Sequence, residues 1–422
     1  MQLTKNQKII ASVVGVLVLA FVLVLIGVLP GLKSSNPDPK LRAATLNIWT
    51  IGDSNRAYES IINDFKTDYP NVKIEIRTFS DQVGYEKNIL NALASGQGPD
   101  IFMVPNGALA RDLQKLAPLP TEKLSVNSFN QLFPQVAGQD FIFQNEIYAL
   151  PLSIDTLAMY YNRDLFNAAG LPLPPATWEE FQTIIPQLTK FDANRNIVQA
   201  GAAIGGSNQS ISRATDILLL TMLQKDAPFT NDSLAAFNFY LDFANARQPQ
   251  YTWNDSFAKD RQAFVSEKTA IIFDYAEARS LISAANINLN FAVAAAPQFR
   301  NQSKPAAIAK YWGYSVSRQS KNAQLAWDFI INMTTKETNA ENYATSVQKP
   351  PALNSLITKL NNDSEWQIFT RQTLIAKSWP QSDPLAVSQI FSKAIINVLA
   401  GRANPSQALQ QAKSEYNVLI SN

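Results

Sequence analysis

The sequence has no cysteine and no histidine in 422 residues. Without cysteine there are no disulfides, no thiolate nucleophile, no cysteine zinc site and no lipid attachment to an N-terminal cysteine. Without histidine the commonest metal ligand and the commonest general base are missing. What remains for catalysis is carboxylate chemistry, so the composition points away from an enzyme, and no cofactor or metal is expected. Charged residues are also sparse, at 17%, with 36 basic against 34 acidic. Lys5, Lys8 and Lys33 lie in the first 33 residues, where no acid occurs, and setting them aside leaves 33 basic against 34 acidic residues. That balance gives no support for a nucleic-acid surface. Neither nucleotide-binding glycine signature occurs; the glycine-rich Gly201 to Gly206, GAAIGG, lacks the phosphate-binding lysine and reads as a tight passage from strand to turn. No internal repeat, heptad pattern or low-complexity tract is present.

What the sequence does have is apolar residue, 46% of the chain, enough to bury a large core over two or three domain-sized units. It also has one long uncharged run, the 21 residues Ile9 to Leu29. As a helix this run spans roughly 31 Å, close to the roughly 30 Å hydrocarbon core of a bilayer. A secretory signal has a shorter apolar region and a small-residue cleavage site, whereas Pro30, Gly31, Leu32 and Lys33 follow here. The expectation is a membrane anchor over 9–29, in preference to a cleaved signal, with residues 1–8 cytoplasmic and 30–43 a linker. Lysines and arginine flank the run on both sides (Lys5 and Lys8 before it; Lys33, Lys40 and Arg42 after it), so the positive-inside count does not set its orientation. The tract SSNPDPK, 34–40, reads as a tether.

Beyond the linker the pattern alternates. Leu46, Ile48 and Trp49 read as a strand, and Tyr58, Ile61, Ile62 and Phe65 fall on one face of a helix over about 55–68. Val72, Ile74 and Ile76 alternate with charged residues as a second strand. A helix with Tyr85, Ile89, Ala92 and Leu93 then leads to the short apolar strand Ile101 to Val104. Strand, helix, strand, helix, strand predicts a parallel α/β sheet, whose ligands bind beyond the carboxyl ends of the strands. Those ends are 50–54 and 105–107. Farther on, Thr177 and Glu180 form a capping box opening a helix to about Leu188, further helices fall at 214–224 and 234–246, and Ser320 caps a helix carrying Leu325, Ala326 and Phe329. Apolar strands are expected at 270–273 and 291–296.

The most informative stretch is 145–166, NEIYALPLSIDTLAMYYNRDLF. An alternating strand broken by Pro151 suits a sheet edge or a passage between structural units, because proline cannot donate to a ladder. The passage carries one carboxylate, Asp155, among apolar neighbours.

This segment resembles the extracellular solute-binding proteins that deliver sugars to ATP-driven importers, maltose-binding protein among them. The resemblance extends to NDFKTDYPNVKIEI (63–76), ALASGQGPDIFMV (92–104), PPATWEEF (174–181) and YWGYSVSRQSKNAQLAWDFI (311–330), in the family's usual order over nearly all of 45–420. It implies an α/β, two-lobed periplasmic-binding-protein-like fold (type II) with discontinuous lobes joined by a hinge: 44–153 with 295–346, and 154–294 with 347–422. It further implies a monomer with its soluble part outside the cell membrane, held by the N-terminal helix, handing a carbohydrate, an oligosaccharide by resemblance, to the transmembrane subunits of an ABC permease.

A sugar site needs carboxylates or amides for hydroxyl groups and aromatic faces for the C–H surface. Asp53 follows the first strand and is either a ligand contact or, with Ser54, a helix cap. Asn106 enters the cleft by resemblance or forms a turn before Gly107. Asp155 occupies the place of an acidic sugar ligand of the family. Tyr275 and Glu277 follow a strand end where the family places an aromatic and a polar contact, although maltose-binding protein carries tryptophan in that turn. Trp312 and Trp379 complete the candidates, each with core packing as its competing explanation, while Trp178, Trp327 and Trp366 fall on helical faces that pack. Two other function classes use the same features. A glycoside hydrolase would set two carboxylates, such as Asp155 and Glu277, about 5–9.5 Å apart; a sensory or scaffolding module would bind a partner protein and no small molecule.

Overall fold

The computed structural model describes residues 4–25, 39–300, 305–381 and 383–421. The chain divides into a smaller unit, 1–45 with 64–73, and a larger one, 46–63 with 74–422. In the smaller unit, helix α1 (Lys5–Leu25) opens with a reciprocal cap: Thr4 N–H donates to Gln7 Oε1 at 2.9 Å and Gln7 N–H to Thr4 Oγ1 at 3.4 Å. Residues 5–24 are long and apolar enough to cross a membrane, and none of their window is buried. The last four residues of the expected span, 26–29, and the tether up to residue 38 lie outside the described residues. Lys40 and Asp68 pair at 3.2 Å with both side chains at least half exposed, a contact of little stabilising weight.

The alternation that the sequence predicts is present, with one addition. A six-stranded sheet runs in the order Val72–Phe79 (β2), Ala44–Ile51 (β1), Ile101–Pro105 (β3), Trp312–Ser317, Leu116–Ala117, with Leu150–Pro151 also pairing with Trp312–Ser317. β1 and β3 are parallel, Ile48 opposite Ile101. The strand Trp312–Ser317 enters antiparallel beside β3 from more than 200 positions away, Gly313 opposite Val104 and Tyr314 opposite Met103. All five residues of β3 are buried, as a continuous apolar run between two neighbours requires. Pro151 sits in a two-residue strand with a single partner, so its missing N–H breaks no ladder.

A second, antiparallel sheet orders Ile271–Asp274, Ala158–Asn162 and Phe291–Ala295, with Tyr160 between Ile272 and Val293. The helix Trp178–Leu188 opens with the expected capping box, Thr177 to Glu180. It drives Trp178 into an aromatic cluster with Phe181, Phe239 and Phe273 at ring separations of 5.3, 5.4 and 5.7 Å. The indole N–H is satisfied by Gln224 Oε1 at 2.7 Å, so complete burial leaves no orphaned donor there.

A third, small sheet, two of whose strands come between those of the other two sheets in chain order, comprises Ala376–Lys377, Ala307–Lys310 and Asp155–Thr156, with Lys310 opposite Asp155. The strand Phe291–Ala295 belongs to the second sheet, and the chain rejoins the first only at Trp312. The segment after Pro151 runs beside 350–352: Ile154 N–H donates to Pro350 O and Ala352 N–H to Leu152 O, both at 3.2 Å. Ser320 is not the cap expected of it. The helix Ala323–Thr335 has Asn322 at its N-cap position, and Ser320 Oγ donates instead to Asp100 Oδ1 at 2.5 Å.

Candidate functional site

Two adjoining cavities, of about 190 and 140 Å³, share four residues: Tyr275, Lys310, Tyr311 and Trp312. Three of these come from the strand pair 307–317, where the chain passes from the small bridging sheet to the first sheet, and Tyr275 follows the last residue of the strand Ile271–Asp274. The site is therefore built where the sheets end, from segments distant in sequence.

Asp53 lines the larger cavity. Ser54 takes the cap, its Oγ accepting from Arg56 N–H, which leaves the Asp53 carboxylate for other work. Its Oδ1 meets Lys349 Nζ at 2.6 Å and its Oδ2 accepts the hydroxyl of Tyr343. Tyr58 and Tyr314 share a hydroxyl hydrogen bond of 2.6 Å alongside, and burial pushes all three tyrosines upward.

Asp155 lines the same cavity and is 7% exposed. Its Oδ1 accepts Thr156 N–H at 2.8 Å and its Oδ2 accepts Ala276 N–H at 2.9 Å. Burial pushes its carboxyl up to about 7 against the lowering pull of these two N–H groups, with Glu277 adding to the rise and Lys349 opposing it. The bond to Ala276 fixes the turn bearing Tyr275 and Glu277. The Tyr275 hydroxyl donates to Asp216 Oδ2 at 3.1 Å, while the Arg213 guanidinium and Lys310 Nζ lie over its ring at 4.8 and 5.6 Å from the centroid. That ring is thus engaged by two cations and is less open to a sugar face than the sequence suggests. Glu277, nearly half exposed, reaches toward Arg213 at 3.7 Å. Arg213 also donates to Asp274 Oδ1 at 2.7 Å. Burial would raise the Asp274 carboxyl, but Arg213 and Arg261 outweigh it and hold the group below its ordinary value.

Trp312 lines both cavities and meets Tyr85 edge-on at 5.8 Å. Asn106 lines the smaller one, yet its side chain is committed to the protein. Its Nδ2 donates to Ala309 O at 3.2 Å and Ser378 Oγ at 3.1 Å, and its Oδ1 accepts Tyr311 N–H at 3.1 Å. Trp379 lines neither cavity; it packs with Tyr416, Phe229 and Phe391 at 4.7, 5.8 and 6.3 Å. Six of the seven candidates therefore converge, and the seventh is a packing residue.

Sequence reasoning missed Arg213, Asp216, Lys310, Tyr343 and Lys349. Lys310 stands two residues before Trp312 and was within reach of the same motif. Arg213 and Asp216 read as an ordinary helix start, and nothing local distinguishes Lys349. Among the described residues Lys310 has no carboxylate partner, and with Asn208, Ser212 and Gln381 it gives the smaller cavity a polar wall.

The family model for bacterial extracellular solute-binding proteins matches residues 60–367. A galactooligosaccharide-binding protein from Bacillus subtilis is 20% identical over 402 residues, 90% of each chain. An uncharacterized ABC transporter extracellular-binding protein from Pyrococcus horikoshii is 24% identical over 246 residues; the match spans 53% of this chain and about half, 55%, of that relative's length. Among solved structures, an ABC transporter solute-binding protein from Thermotoga lettingae, bound with alpha-D-tagatose, superposes with a TM-score of 0.70 at 23% identity, covering 89% of this chain and all of that one. The α/β fold, with an apolar helix ahead of it, is that of two-lobed solute-binding proteins. With nearly three quarters of its length matched, the chain belongs to the bacterial extracellular solute-binding protein family.

Proposed function

We propose that the protein captures a carbohydrate in the paired cavities around Trp312 and Lys310 and hands it to the transmembrane subunits of an ABC importer. The observation that carries this reading is the lining itself. Hydrogen-bonding groups of both kinds (Asp53, Asp155, Asp216 and Glu277 beside Arg213, Lys310 and Lys349) share the walls with Trp312 and with Tyr275, Tyr311, Tyr314 and Tyr343. Hydroxyl groups and C–H faces need that combination. The near balance of charge suits a neutral ligand better than an ionic one. Asp155 is read as a fixed acceptor for a sugar hydroxyl and not as a catalyst, because both of its oxygens are already oriented by backbone N–H groups.

In this reading the lobes are 44–151 with 312–347 and 156–306 with 352–421. The chain passes between them at 152–154, at Tyr311 and at 348–351. This reading sets the second passage later than position 295, and the pairing of Phe291–Ala295 with the second sheet supports it. Hinge motion at these three passages encloses the ligand, so closure and binding are coupled. The soluble part lies outside the membrane as a monomer, with α1 as its anchor.

The test is a thermal-shift screen of the soluble part, residues 39–422, against mono- and oligosaccharides, followed by calorimetry on each hit. At least one sugar should raise the melting temperature, and Lys310→Ala together with Trp312→Ala should remove the rise. Silence across all sugars, whether or not peptides or phosphate esters respond, would overturn the reading.

A further inference from the structure

Trp312 has a second neighbour besides the paired cavities. Between the helix Gln82–Ala94 and β3 lies a recess of about 290 Å³, walled by Tyr85, Ile89, Leu90, Phe102, Met103 and Trp312. It shares Trp312 and Met103 with the larger cavity, and Trp312 and Pro105 with the smaller one, so it adjoins both. Its chemistry differs from theirs. Tyr85 is polar only at its hydroxyl, which is used up on the Met103 backbone, donating to O at 2.9 Å and accepting from N–H at 2.7 Å. Most of the charges on its rim are paired with one another: Arg111 meets Glu86 at 3.3 Å and Asp112 at 2.8 Å, and Lys115 meets Asp112 at 2.6 Å, while Lys87 is exposed at the rim. The interior therefore offers an apolar surface and few free hydrogen-bonding groups, which does not match a further sugar ring. Leu90, 58% exposed, stands at its edge.

We propose that this recess takes the apolar end of a glycoside, an aryl or alkyl group whose sugar lies in the polar cavities on the other side of Trp312. The inference rests on the carbohydrate reading above and narrows its ligand to amphipathic glycosides. Trp312 is then a divider, offering one contact to the sugar and another to the aglycone. Burying even roughly two methylenes' worth of surface in such a recess raises affinity about tenfold.

Calorimetry and tryptophan fluorescence on the full chain would compare the methyl, p-nitrophenyl and n-octyl glycosides of glucose, galactose and mannose. The apolar glycosides should bind about tenfold or more tightly than the methyl glycoside of the same sugar. Leu90→Asp, an exposed position outside the sugar cavities, should cut that advantage several-fold while leaving methyl-glycoside affinity unchanged. Equal affinities for methyl and apolar glycosides would overturn the inference and leave the carbohydrate reading standing, as would an advantage that Leu90→Asp does not touch. Failure of every sugar and glycoside to bind would overturn both.

Discussion

Asp155 Oδ2 accepts the backbone N–H of Ala276 across 121 positions of sequence, tying the small bridging sheet to the turn that presents Tyr275 and Glu277. One carboxylate thus aims a whole turn at the cleft. Its second oxygen, held by Thr156 N–H, fixes the aim.

This arrangement predicts a particular pH dependence. In the folded chain burial raises the Asp155 carboxyl to about 7, from an ordinary value near 3.8. Between those values the folded state holds a proton that the unfolded chain has released, so stability falls as pH rises through this window. Burial likewise raises Asp140, to about 6, and adds to the slope below that pH. Asp155→Asn removes the Asp155 contribution. With melting temperatures of the two proteins followed from pH 4 to 8, the wild type should lose ground relative to Asp155→Asn as pH rises. Parallel curves would show that Asp155 does not titrate in this range.

Lys349 holds the other buried carboxylate of the larger cavity, Asp53, from 296 positions away. Removing one partner of such a pair leaves an uncompensated charge, at a cost of about 3 kcal/mol where both are largely buried. Lys349→Met should therefore destabilise strongly in denaturant unfolding, and Asp53→Asn on top of it should recover much of the loss. If the double variant is as unstable as the sum of the two single ones, the pair is not coupled.

Much of this was legible in residue order and some of it was not. The capping box at Thr177, the apolar run of β3 and the break at Pro151 are local patterns, and each places its element correctly because burial and capping act over a few residues. Asp53 was ambiguous between cap and contact, and only the geometry of Ser54 assigns the cap elsewhere. Lys349, Tyr343 and Arg213 act through partners distant in sequence, so no window around them carries a signal. Trp379 looked like a site residue because prolines surround it, whereas its surroundings in space are aromatic.

Asn106 separates clamp from contact. Its amide links Ala309, Ser378 and Tyr311, so Asn106→Ala removes hydrogen bonds at the passage between sheets whether or not a ligand is present. Loss of about 1–3 kcal/mol from the unliganded protein is expected. An unchanged denaturation midpoint with weakened sugar binding would instead make Asn106 a ligand contact.

Gly313, next to Trp312, tests how closely the site depends on packing behind it. A Cβ there would meet Ala149 Cβ and Phe141 Cζ, each at 2.7 Å, inside the distance real side chains tolerate. Phe141 cannot swing away freely, because its ring packs edge-on against Tyr311 at 5.4 Å. Gly313→Ala must then displace either the strand bearing Trp312 or the ring supporting Tyr311, at a cost of about 1–3 kcal/mol. Both displacements reach the cavity, so ligand affinity should fall together with stability, while Gly401→Ala, whose added Cβ meets nothing within 4 Å, should cost stability through its φ of +68° and leave affinity alone. If Gly313→Ala loses stability and binds every sugar as before, the strand behind Trp312 does not set the geometry of the site.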